Sequence, residues 1–396
     1  MKTISDTVHG SIALSDIEIS ILDTPEMQRL RRIRQLGFTY LVYPSATHTR
    51  FEHSLGTLSL ADQLGKQLDL SKDEIKKSRL AALLHDVGHG PFSHSTEHAL
   101  SSKYTLTHED NTQKLVCNTV ISEHVEEAGF EPREIAEIAR GKKPPLGQLL
   151  SGEIDVDRMD YLVRDAYYTG VAYGVIDLDR LLRTASIQGD KLAFKKDGLS
   201  AVEALVLARY LMHPTVYSHH TARVAGAMFA KAVMSCLESN VFDVEKLYRM
   251  DDYDLLSKIK KNSGFAGELI RWIENRSLYK RALVLDTEEL GDNYTSFVEM
   301  SKNPEGLAKL ENELLDSTKL ESGEILIDIP QPLYTSEAEA SILWKDEAKK
   351  LHEVSPLAKA LKDAQWRYWN VSVYCAAKHL DKVSKAAKEI LFSYVL

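Results

Sequence analysis

The sequence predicts a mostly α-helical protein, with a large helical core over residues 1–240 and a smaller lobe of mixed helix and strand over residues 241–396 that packs on it. Most segments before residue 240 carry apolar residues at three- and four-residue steps, which is the spacing of amphipathic helices. Beyond about Phe242 the character of the chain changes: all four tryptophans lie there, and so does GEILIDIPQ at 323–331, which favours a strand. The segment between the two parts is not rich in proline or glycine, so we expect a packed lobe rather than a tethered domain.

The composition is that of a soluble globular protein. Of the 396 residues, 44% are hydrophobic and 27% are charged, which excludes disorder over most of the chain. The formal net charge of −9 argues against a general electrostatic attraction to nucleic acid, so nucleic acid would bind only through a local basic patch. No run of ~20 apolar residues is present and the N-terminus lacks the apolar region of a signal peptide, so we expect no membrane association.

The three cysteines, Cys117, Cys236 and Cys375, are scattered along the chain and odd in number. They allow neither a disulfide framework nor a CxxC zinc site. Free thiols are typical of a reducing compartment, so we expect a cytoplasmic protein.

The first predicted helix, TPEMQRLRRIRQL at 24–36, begins with Thr24 as N-cap and Pro25 at the first helical position, and it ends before Gly37. It carries four arginines, at positions 29, 31, 32 and 34. Four guanidinium groups on one short helix form either a solvated face or a surface that meets anions. In the second case the anions are acidic side chains of another subunit or a nucleotide held between subunits, and residues 1–40 form the interface of a homo-oligomer.

The following helices are predicted from the same signals of periodicity and capping. The segment after Arg50 has apolar residues at positions 51, 55, 58, 61 and 64. A capping-box pattern opens a helix at Ser71, and Thr107 is the predicted N-cap of another helix, with Asp110 at its third position. Helices are also predicted at 153–168 and at 199–236, the second of them interrupted around Pro214. KLAFKKDGL at 191–199 is predicted as a strand of a small hairpin.

Histidines are concentrated in one part of the chain. Seven of the 14 fall between positions 48 and 108, namely His48, His53, His85, His89, His94, His98 and His108. Histidine is the commonest metal ligand and the usual acid–base side chain near neutral pH. The concentration is therefore either an accident of composition or the mark of a functional site.

His85 and Asp86 are adjacent at the end of an apolar run, AALLHDVGHG, so we expect both to be buried. A charged carboxylate in a core needs compensation, and a divalent cation can supply it. An imidazole nitrogen together with a carboxylate oxygen suits Mn, Fe, Co, Ni or Zn, and Mg is also compatible. His89, four residues after His85, faces the same cavity if the helix continues for one more turn.

Two further metal ligands are expected from other helices. His53 lies within a helix whose neighbouring residues are apolar or small, which makes it a candidate third ligand. Asp157 is the candidate fourth, because Asp157, Tyr161 and Asp165 are four residues apart and form one polar stripe along a helix. The alternative is that this stripe is a solvated face that pairs with neighbouring arginines.

Four motifs together resemble the HD-domain phosphohydrolases. They are TRFEHSLG at 49–56, LLHDVGHGPFSH at 83–94, HE at 108–109 and DVDRMDYLVRD at 155–165. More narrowly, the chain is similar to the deoxynucleoside triphosphate (dNTP) triphosphohydrolase branch, to which MDDYDLLSKI at 250–259 and NRSLYKR at 275–281 also fit. The resemblance implies a helical HD-domain core with a smaller mixed α/β C-terminal lobe.

The resemblance also implies roles for individual residues. The metal ligands would be His53, His85, Asp86 and Asp157. Proton transfer and phosphate contacts would come from His89, His94, His108 and Glu109. The substrate would be bound at the sugar by Gln35, Leu36 and Asp165, near the phosphates by Arg50, Arg158, Tyr161 and Arg164, and at the sugar or base by Tyr217. A regulatory nucleotide would bind Asp23, Gln28 and Arg31, with Ser5 at a position where the family has asparagine.

The function that the resemblance implies is metal-dependent hydrolysis of a dNTP to deoxynucleoside and triphosphate, with GTP or a dNTP as an activator that promotes assembly. Water would attack the α-phosphorus, and His108 or His94 would protonate the leaving 5′-oxygen. Two alternatives stay open. One is another HD-type nucleotide phosphohydrolase or phosphodiesterase, and the other is a non-catalytic HD protein that binds nucleotide or nucleic acid.

Overall fold

The computed structural model of the chain describes residues 2–100, 104, 106–262, 264–330, 336–345 and 347–394. It is 64% helical, which confirms the predicted mostly α fold. The α-helices are α1 (Asp16–Leu22), α2 (Pro25–Arg29), α3 (Arg50–Gln67), α4 (Lys72–Leu84), α5 (Ser93–Leu100), α6 (His108–Asn118), α7 (Val120–Glu127), α8 (Pro132–Ala139), α9 (Leu146–Leu150), α10 (Val156–Thr169), α11 (Leu178–Thr184), α12 (Leu199–Met212), α13 (His220–Glu238), α14 (Val244–Arg249), α15 (Asp252–Lys261), α16 (Phe265–Glu274), α17 (Thr287–Leu290), α18 (Tyr294–Ser301), α19 (Pro304–Thr318), α20 (Leu351–Val354), α21 (Pro356–Asp363) and α22 (Leu380–Ser393). None of the helices in the described ranges is long and apolar enough to cross a membrane.

Three small sheets accompany the helices. Their strands are β1 (Lys2–Asp6), β2 (Gly10–Leu14), β3 (Ala185–Gln188), β4 (Lys191–Lys195), β5 (Lys280–Asp286), β6 (Ile325–Asp328), β7 (Ser341–Trp344), β8 (Glu347–Lys350) and β9 (Asn370–Cys375). β1 and β2 form an antiparallel hairpin. The second sheet has the order β3-β4-β7-β8, in which β4 and β7 are parallel, and the third is antiparallel with the order β5-β9-β6. The predicted strands correspond to β4 and β6; residue 331 of the second prediction lies outside the described residues.

Helix boundaries follow the predicted capping residues closely. Ser71 and Thr107 form the capping boxes of α4 and α6 with the residues three positions on. Asp155 caps α10 by accepting the backbone N–H of Arg158 at 2.7 Å. The predicted interruption at Pro214 is confirmed: α12 ends at Met212, and a wide π-helical turn leads to α13.

The predicted helix at 24–36 is wrong in its second half. The α-helix ends at Arg29, a single 3-10 turn follows, and Ile33 is extended with φ −115° and ψ 111°. The cause is pairing with the segment before α3: Gln35 donates its backbone N–H to the His48 carbonyl at 3.0 Å, and Arg50 donates to the Ile33 carbonyl at 3.0 Å. This pairing replaces helical hydrogen bonds.

Three apolar clusters form the core. The first packs α3, α4, α8, α10 and α12 together, the second surrounds α13 and α16, and the third lies between the β5-β9-β6 sheet and the helices α19 and α22. Ile342, Leu351 and Leu361, far along the chain, belong to the first cluster. The segment that contains β7 and α21 thus returns to pack on the first core. The division into two parts at residue 240 stays a prediction.

Candidate active site

Three helices bring the predicted metal ligands together. His53 lies in the first turn of α3, His85 caps the C-terminus of α4, and Asp157 lies in the first turn of α10. α3 and α10 approach closely at Gly56, because a Cβ atom at this position would overlap the carboxylate of Asp160 on α10. Glycine at position 56 thus allows ligands from separate helices to meet.

The three candidate ligand atoms lie close enough together to bind one metal ion. His53 Nε2 is 2.9 Å from Asp157 Oδ1 and 3.2 Å from His85 Nε2, and His85 Nε2 is 3.7 Å from the same carboxylate oxygen. Two nitrogen or oxygen ligands, each ~2.1 Å from one ion at a tetrahedral angle, would be about 3.4 Å apart. The group therefore has the dimensions of a site for a first-row divalent cation.

The hydrogen bonds on the far side of each imidazole also fit a cation. His53 Nδ1 lies 2.7 Å from Asp160 Oδ2, and His85 Nδ1 lies 2.7 Å from the Ala82 carbonyl, so both Nδ1 atoms donate. In neutral rings the two Nε2 atoms then carry lone pairs that face each other. A cation between them would remove this repulsion. A proton on His53 would remove the same repulsion. Burial lowers the pKa of His53, but hydrogen bonds to Asp157 and Asp160 outweigh burial and raise this pKa to about 10.

Asp86, the fourth predicted ligand, lies beside this group and forms an ion pair with Arg50. Arg50 Nη1 donates to Asp86 Oδ2 at 2.6 Å, while Asp86 Oδ1 is 3.3 Å from His85 Nε2 and 3.2 Å from His89 Nε2. Burial favours the neutral carboxyl, but Arg50 and His85 hold the pKa of Asp86 well below its usual range. The guanidinium of Arg50 is fixed by two hydrogen bonds to Ser93 Oγ. Asp86 is therefore an anion at the edge of the group.

Glu97 was not predicted from the sequence, and it joins two of the predicted catalytic histidines. Its Oε1 atom is 2.9 Å from His108 Nδ1 and 3.4 Å from His89 Nδ1, and the two imidazole rings stack with centroids 3.9 Å apart. Burial lowers the pKa of His108, but Glu97 outweighs burial and raises it. The pKa of His89 is lowered by burial and by Arg50. Of these two rings, His108 is the one whose protonated form Glu97 stabilises.

The other two predicted catalytic residues line the same cavity but make weaker contacts. His94 has an accessible side chain, and desolvation in the cavity wall and the nearby Arg50 lower its pKa to about 4. Glu109 is half exposed, with Oε2 3.7 Å from Arg140 Nε. Neither is held as a proton donor in the way that His108 is.

The predicted sugar-binding residues also line the cavity. Asp165 is buried, lies 2.8 Å from His48 Nε2, and accepts the Tyr217 hydroxyl at 2.9 Å. Gln35 and Leu36 lie in the turn that follows the extended Ile33, and both line the cavity. The buried Oε1 atom of Gln35 has no hydrogen-bond partner within the described part of the chain. It is an acceptor open to a ligand hydroxyl.

Two arginines expected near the phosphates point elsewhere. Arg158 forms ion pairs with Asp155 and with Glu337, the latter at 2.8 Å. Arg164 is fully buried between Asp160 and Asp6, each at 2.8 Å. Neither lines the cavity, so in this structure neither is placed to contact a phosphate.

Arg209 and His213 line the cavity instead, and sequence reasoning missed both. Arg209 Nε is 3.3 Å from the Tyr161 hydroxyl and 3.1 Å from Glu337 Oε1. The available signal was the arginine inside the largely apolar stretch AVEALVLARYLM, since the core of a buried helix does not need a charge there. Arg50, which was predicted, and Arg140 also line the cavity.

The cavity has a volume of about 520 Å³. This lies within the ~300–1,000 Å³ typical of small-molecule sites. Its lining residues are Gln35, Leu36, Thr39, Arg50, His53, His85, Asp86, His89, His94, Glu97, His108, Glu109, Ala139, Arg140, Leu150, Ser151, Asp157, Tyr161, Asp165, Arg209, His213, Tyr217 and Ser218.

Arg29, from the arginine-rich segment, holds the backbone next to the candidate metal ligands His85 and Asp86. Its guanidinium is buried and donates to three backbone carbonyls, those of Val87, His89 and Met250, at 2.8 to 3.0 Å. It therefore fixes the loop that follows His85. The predicted solvated or intersubunit role does not apply to this arginine.

The neighbouring arginines find anions within the same chain. Arg32 forms an ion pair with Asp251, and Arg34 Nη1 lies 3.8 Å from Asp252. Asp252 is buried and also accepts the backbone N–H groups of Arg34 at 3.0 Å and Phe92 at 2.9 Å. The expectation that a second subunit or a nucleotide must supply these anions is wrong for Arg32 and Arg34.

The predicted regulatory residues lie together at the end of α1 and on α2 and the turn after it. Arg31 Nε donates to Gln28 Oε1 at 3.0 Å, and its guanidinium lies 3.6 Å above the Phe51 ring. Asp23 ends α1 and is exposed. Their role in nucleotide binding stays a prediction.

Comparison with known proteins places this geometry in a family. Residues 50–165 match the HD domain, and residues 176–392 match the HD associated region. An uncharacterized protein of Methanocaldococcus jannaschii is 36% identical over 98% of this chain and 84% of its own length. The deoxynucleoside triphosphate triphosphohydrolase SAMHD1 homolog of Dictyostelium discoideum is 30% identical over 80% of this chain, which spans 66% of that longer protein.

A solved structure agrees with these sequence relatives. The crystal structure of a phosphohydrolase from Bacteroides thetaiotaomicron covers 94% of this chain and 98% of its own, with a TM-score of 0.71 and 25% identity. The matched HD domain begins at Arg50 and ends at Asp165, so it contains all four predicted metal ligands. The chain therefore belongs to the HD-domain phosphohydrolases, in which an HD domain is followed by an HD associated region, and it is related to their dNTP triphosphohydrolase branch.

Proposed function

We propose that this protein hydrolyses deoxynucleoside triphosphates to deoxynucleoside and triphosphate in a metal-dependent reaction. The observation that carries the proposal is that one cavity is lined both by the group of His53, His85 and Asp157 and by the predicted sugar-binding residues. These are Gln35, Leu36, Asp165 and Tyr217. A nucleotide could thus place its phosphates against cations and its sugar against an apolar and hydrogen-bonding wall.

His53, His85 and Asp157, with Asp86 beside them, would hold a divalent ion such as Mn, Fe, Co, Ni, Zn or Mg. When bound, such an ion polarises phosphate oxygens and increases the acidity of water. Arg50 and Arg209 add positive charge to the lining of the cavity, although the chain as a whole is acidic. Charge that develops on the phosphates during hydrolysis would be stabilised there.

His108 would donate the proton that the reaction requires. Water attacks the α-phosphorus, the bond from phosphorus to the 5′-oxygen breaks, and the leaving oxygen takes the proton of the imidazolium. The proton that the attacking water loses restores the imidazolium. Glu97 supports this role because it raises the pKa of His108, whereas the pKa of His94 is lowered. His108 is therefore the better candidate acid of the two that the sequence left open.

Selection of the deoxy sugar would come from Gln35, Leu36 and Asp165. The open acceptor of Gln35 suits a 3′-hydroxyl, and Leu36 would leave no room for a hydroxyl at C2′. Tyr217, held by Asp165, would pack against the sugar or the base.

The protein would act as a homo-oligomer of at least two chains, with GTP or a dNTP as a ligand between subunits at Asp23, Gln28 and Arg31. Of the four arginines of the 24–36 segment, Arg31 is the one that suits this role best, since its guanidinium reaches only Gln28 and the Phe51 ring among the contacts described here. The cysteines are free, which agrees with a cytoplasmic location.

The direct test is the identity of the products. The purified protein would be loaded with Mn²⁺ and given a mixture of dNTPs and NTPs, and phosphorus NMR and chromatography would identify what is released. We expect deoxynucleosides and intact triphosphate, and none from the Asp157→Ala variant. Release of phosphate or pyrophosphate would indicate another HD phosphohydrolase activity, and binding of nucleotide without turnover would indicate a non-catalytic protein.

A further inference from the structure

We infer that the N-terminal hairpin β1–β2 is a positioning element for the metal group, and that His9 at its turn acts through Asp160 on His53. The inference rests on the proposed metal-binding role of His53. His9 is 44 residues before His53 and 151 before Asp160. A direct chain of side-chain contacts nevertheless joins the three.

Asp160 is the centre of this chain of contacts. It is completely buried, and each of its two carboxylate oxygens faces two donors. Oδ1 is 2.6 Å from His9 Nε2 and 2.9 Å from Arg164 Nη2, and Oδ2 is 2.7 Å from His53 Nδ1 and 2.8 Å from Arg164 Nε. A carboxylate held by four donors cannot rotate without losing hydrogen bonds, so its orientation is fixed.

The fixed carboxylate sets both the direction and the tautomer of His53. Because Asp160 accepts a hydrogen bond from Nδ1 of His53, the lone pair of the neutral ring is on Nε2. This lone pair points toward His85 and Asp157. A carboxylate in this position also makes the ring a stronger ligand, and loss of such a partner typically weakens metal binding by ~10–100-fold. His9 acts indirectly, since it fixes the carboxylate of Asp160 rather than the ring of His53.

The turn of the hairpin is built to deliver His9. Asp6 Oδ1 accepts the backbone N–H groups of Val8 at 3.0 Å and His9 at 2.8 Å, which shapes the turn. The same carboxylate pairs with Arg164, whose Nη1 lies 2.8 Å from Asp6 Oδ2. Arg164 therefore connects the hairpin to Asp160 by a second route, and both routes end on the same carboxylate.

Gly56 of α3 lies against the same carboxylate. The Cβ of any other residue at this position would overlap Asp160 Oδ1 and come close to Arg164 Nη2. The Asp160 carboxylate is thus confined both by His9 and by the backbone of α3. Such confinement is expected of a group that positions a ligand and is unnecessary for an ordinary buried ion pair.

The test measures binding of Co²⁺ alone to the full chain, by titration and by the visible absorption spectrum of the complex. His9→Ala should weaken Co²⁺ binding by ~10-fold or more and alter the spectrum, because the spectrum reports the arrangement of the ligands. His9→Gln, which keeps a donor for Asp160, should restore most of the affinity. Thr7→Ala is the matched control, since Thr7 lies in the same turn and its hydroxyl pairs with that of Tyr168, at 3.0 Å, rather than with Asp160. Circular dichroism would establish that each variant is folded at the temperature of the titration.

The outcomes separate this inference from the proposed function. If His85→Ala abolishes Co²⁺ binding while His9→Ala binds as the unaltered chain does, the inference is overturned and the metal site stands. If His9→Gln is folded and binds as weakly as His9→Ala, the hydrogen bond to Asp160 is not the cause and the inference is also overturned. Equal binding by the unaltered chain and His85→Ala would overturn both.

Discussion

Glu97 Oε1 lies 2.9 Å from His108 Nδ1, on the side of the ring away from the nitrogen that could meet a substrate. This contact couples the charge of the imidazole to a carboxylate at the edge of the cavity. Because Glu97 raises the pKa of His108, the imidazolium persists to higher pH than an isolated histidine would. The pair has the arrangement of a general acid and the group that keeps it protonated.

Glu97→Gln should therefore move the alkaline limb of the pH profile to lower pH. An acid must be protonated to act, so the rate falls as pH rises through the pKa of His108, and loss of Glu97 lowers that pKa. At neutral pH, kcat/KM should drop by about 10-fold or more. Profiles of kcat/KM for the variant and for a control, Glu123→Gln on the exposed face of α7, would measure this. An unshifted alkaline limb would exclude His108 as the acid.

Asp157→Ala and Asp86→Asn should each lower the metal content and abolish hydrolysis. Each change removes one of the two carboxylates from the set His53, His85, Asp86 and Asp157, so the remaining site attracts a cation less strongly. Elemental analysis of the purified variants and an assay of dNTP hydrolysis would measure both effects. Asp179→Asn, an exposed aspartate that pairs with Arg183, is the control. Normal metal content with normal turnover in either variant would show that the site is elsewhere.

The enzyme should prefer dATP to ATP by about 10²-fold or more in kcat/KM, because a wall at C2′ excludes the extra hydroxyl rather than merely failing to bind it. Leu36→Ala should narrow this ratio by raising the rate with ATP. Competition between the two nucleotides in one reaction gives the ratio directly. Equal rates for the unaltered chain would remove the dNTP assignment but not the HD phosphohydrolase one.

Asp252→Ala should lower the free energy of unfolding by about 3 kcal/mol. The buried carboxylate accepts backbone N–H groups of Arg34 and Phe92, and a buried donor that loses its acceptor costs ~1–3 kcal/mol. Urea denaturation would measure the loss, with Lys258→Ala on the exposed face of the same helix as control. A loss below about 1 kcal/mol would mean that water replaces the carboxylate.

Light scattering should detect at least a dimer, and GTP or a dNTP should raise the assembled fraction, because a ligand that binds only the assembled form shifts the equilibrium toward it. Arg31→Ala should remove the response to nucleotide. A monomer at every concentration would contradict both expectations, while an oligomer that does not respond to nucleotide would contradict only the second.

Local signals in the sequence were sufficient for much of the fold. The capping boxes at Ser71 and Thr107 and the interruption at Pro214 depend on residues a few positions apart, and all three were predicted correctly. The 24–36 helix failed at Ile33 for the opposite reason, because the competing partner is the segment that precedes α3. Local propensity cannot show which distant segment will supply a better set of hydrogen bonds.

The same limit applies to the site. His53, His85 and Asp157 could be grouped because their residue types are unusual for a buried helix, although only the structure gives the distances between them. Glu97 and Arg209 were missed since a single charge on a helix is ordinarily exposed. Arg164 was misplaced because its partner, Asp6, is 158 residues away on a hairpin that the sequence did not predict.

Glu337 makes folding of the HD core during synthesis depend on residues that are synthesised late. It is fully buried, lies 2.8 Å from Arg158 and 3.1 Å from Arg209, and precedes the segment that returns to the first core. All the HD motifs emerge long before it is synthesised, yet until then the two guanidinium groups lack the carboxylate that they share. Domains commonly fold as they emerge. Here a nascent polypeptide that carries every catalytic motif would still await late residues, so a premature stop at residue 240 should give a substrate for chaperones and proteases rather than a smaller enzyme.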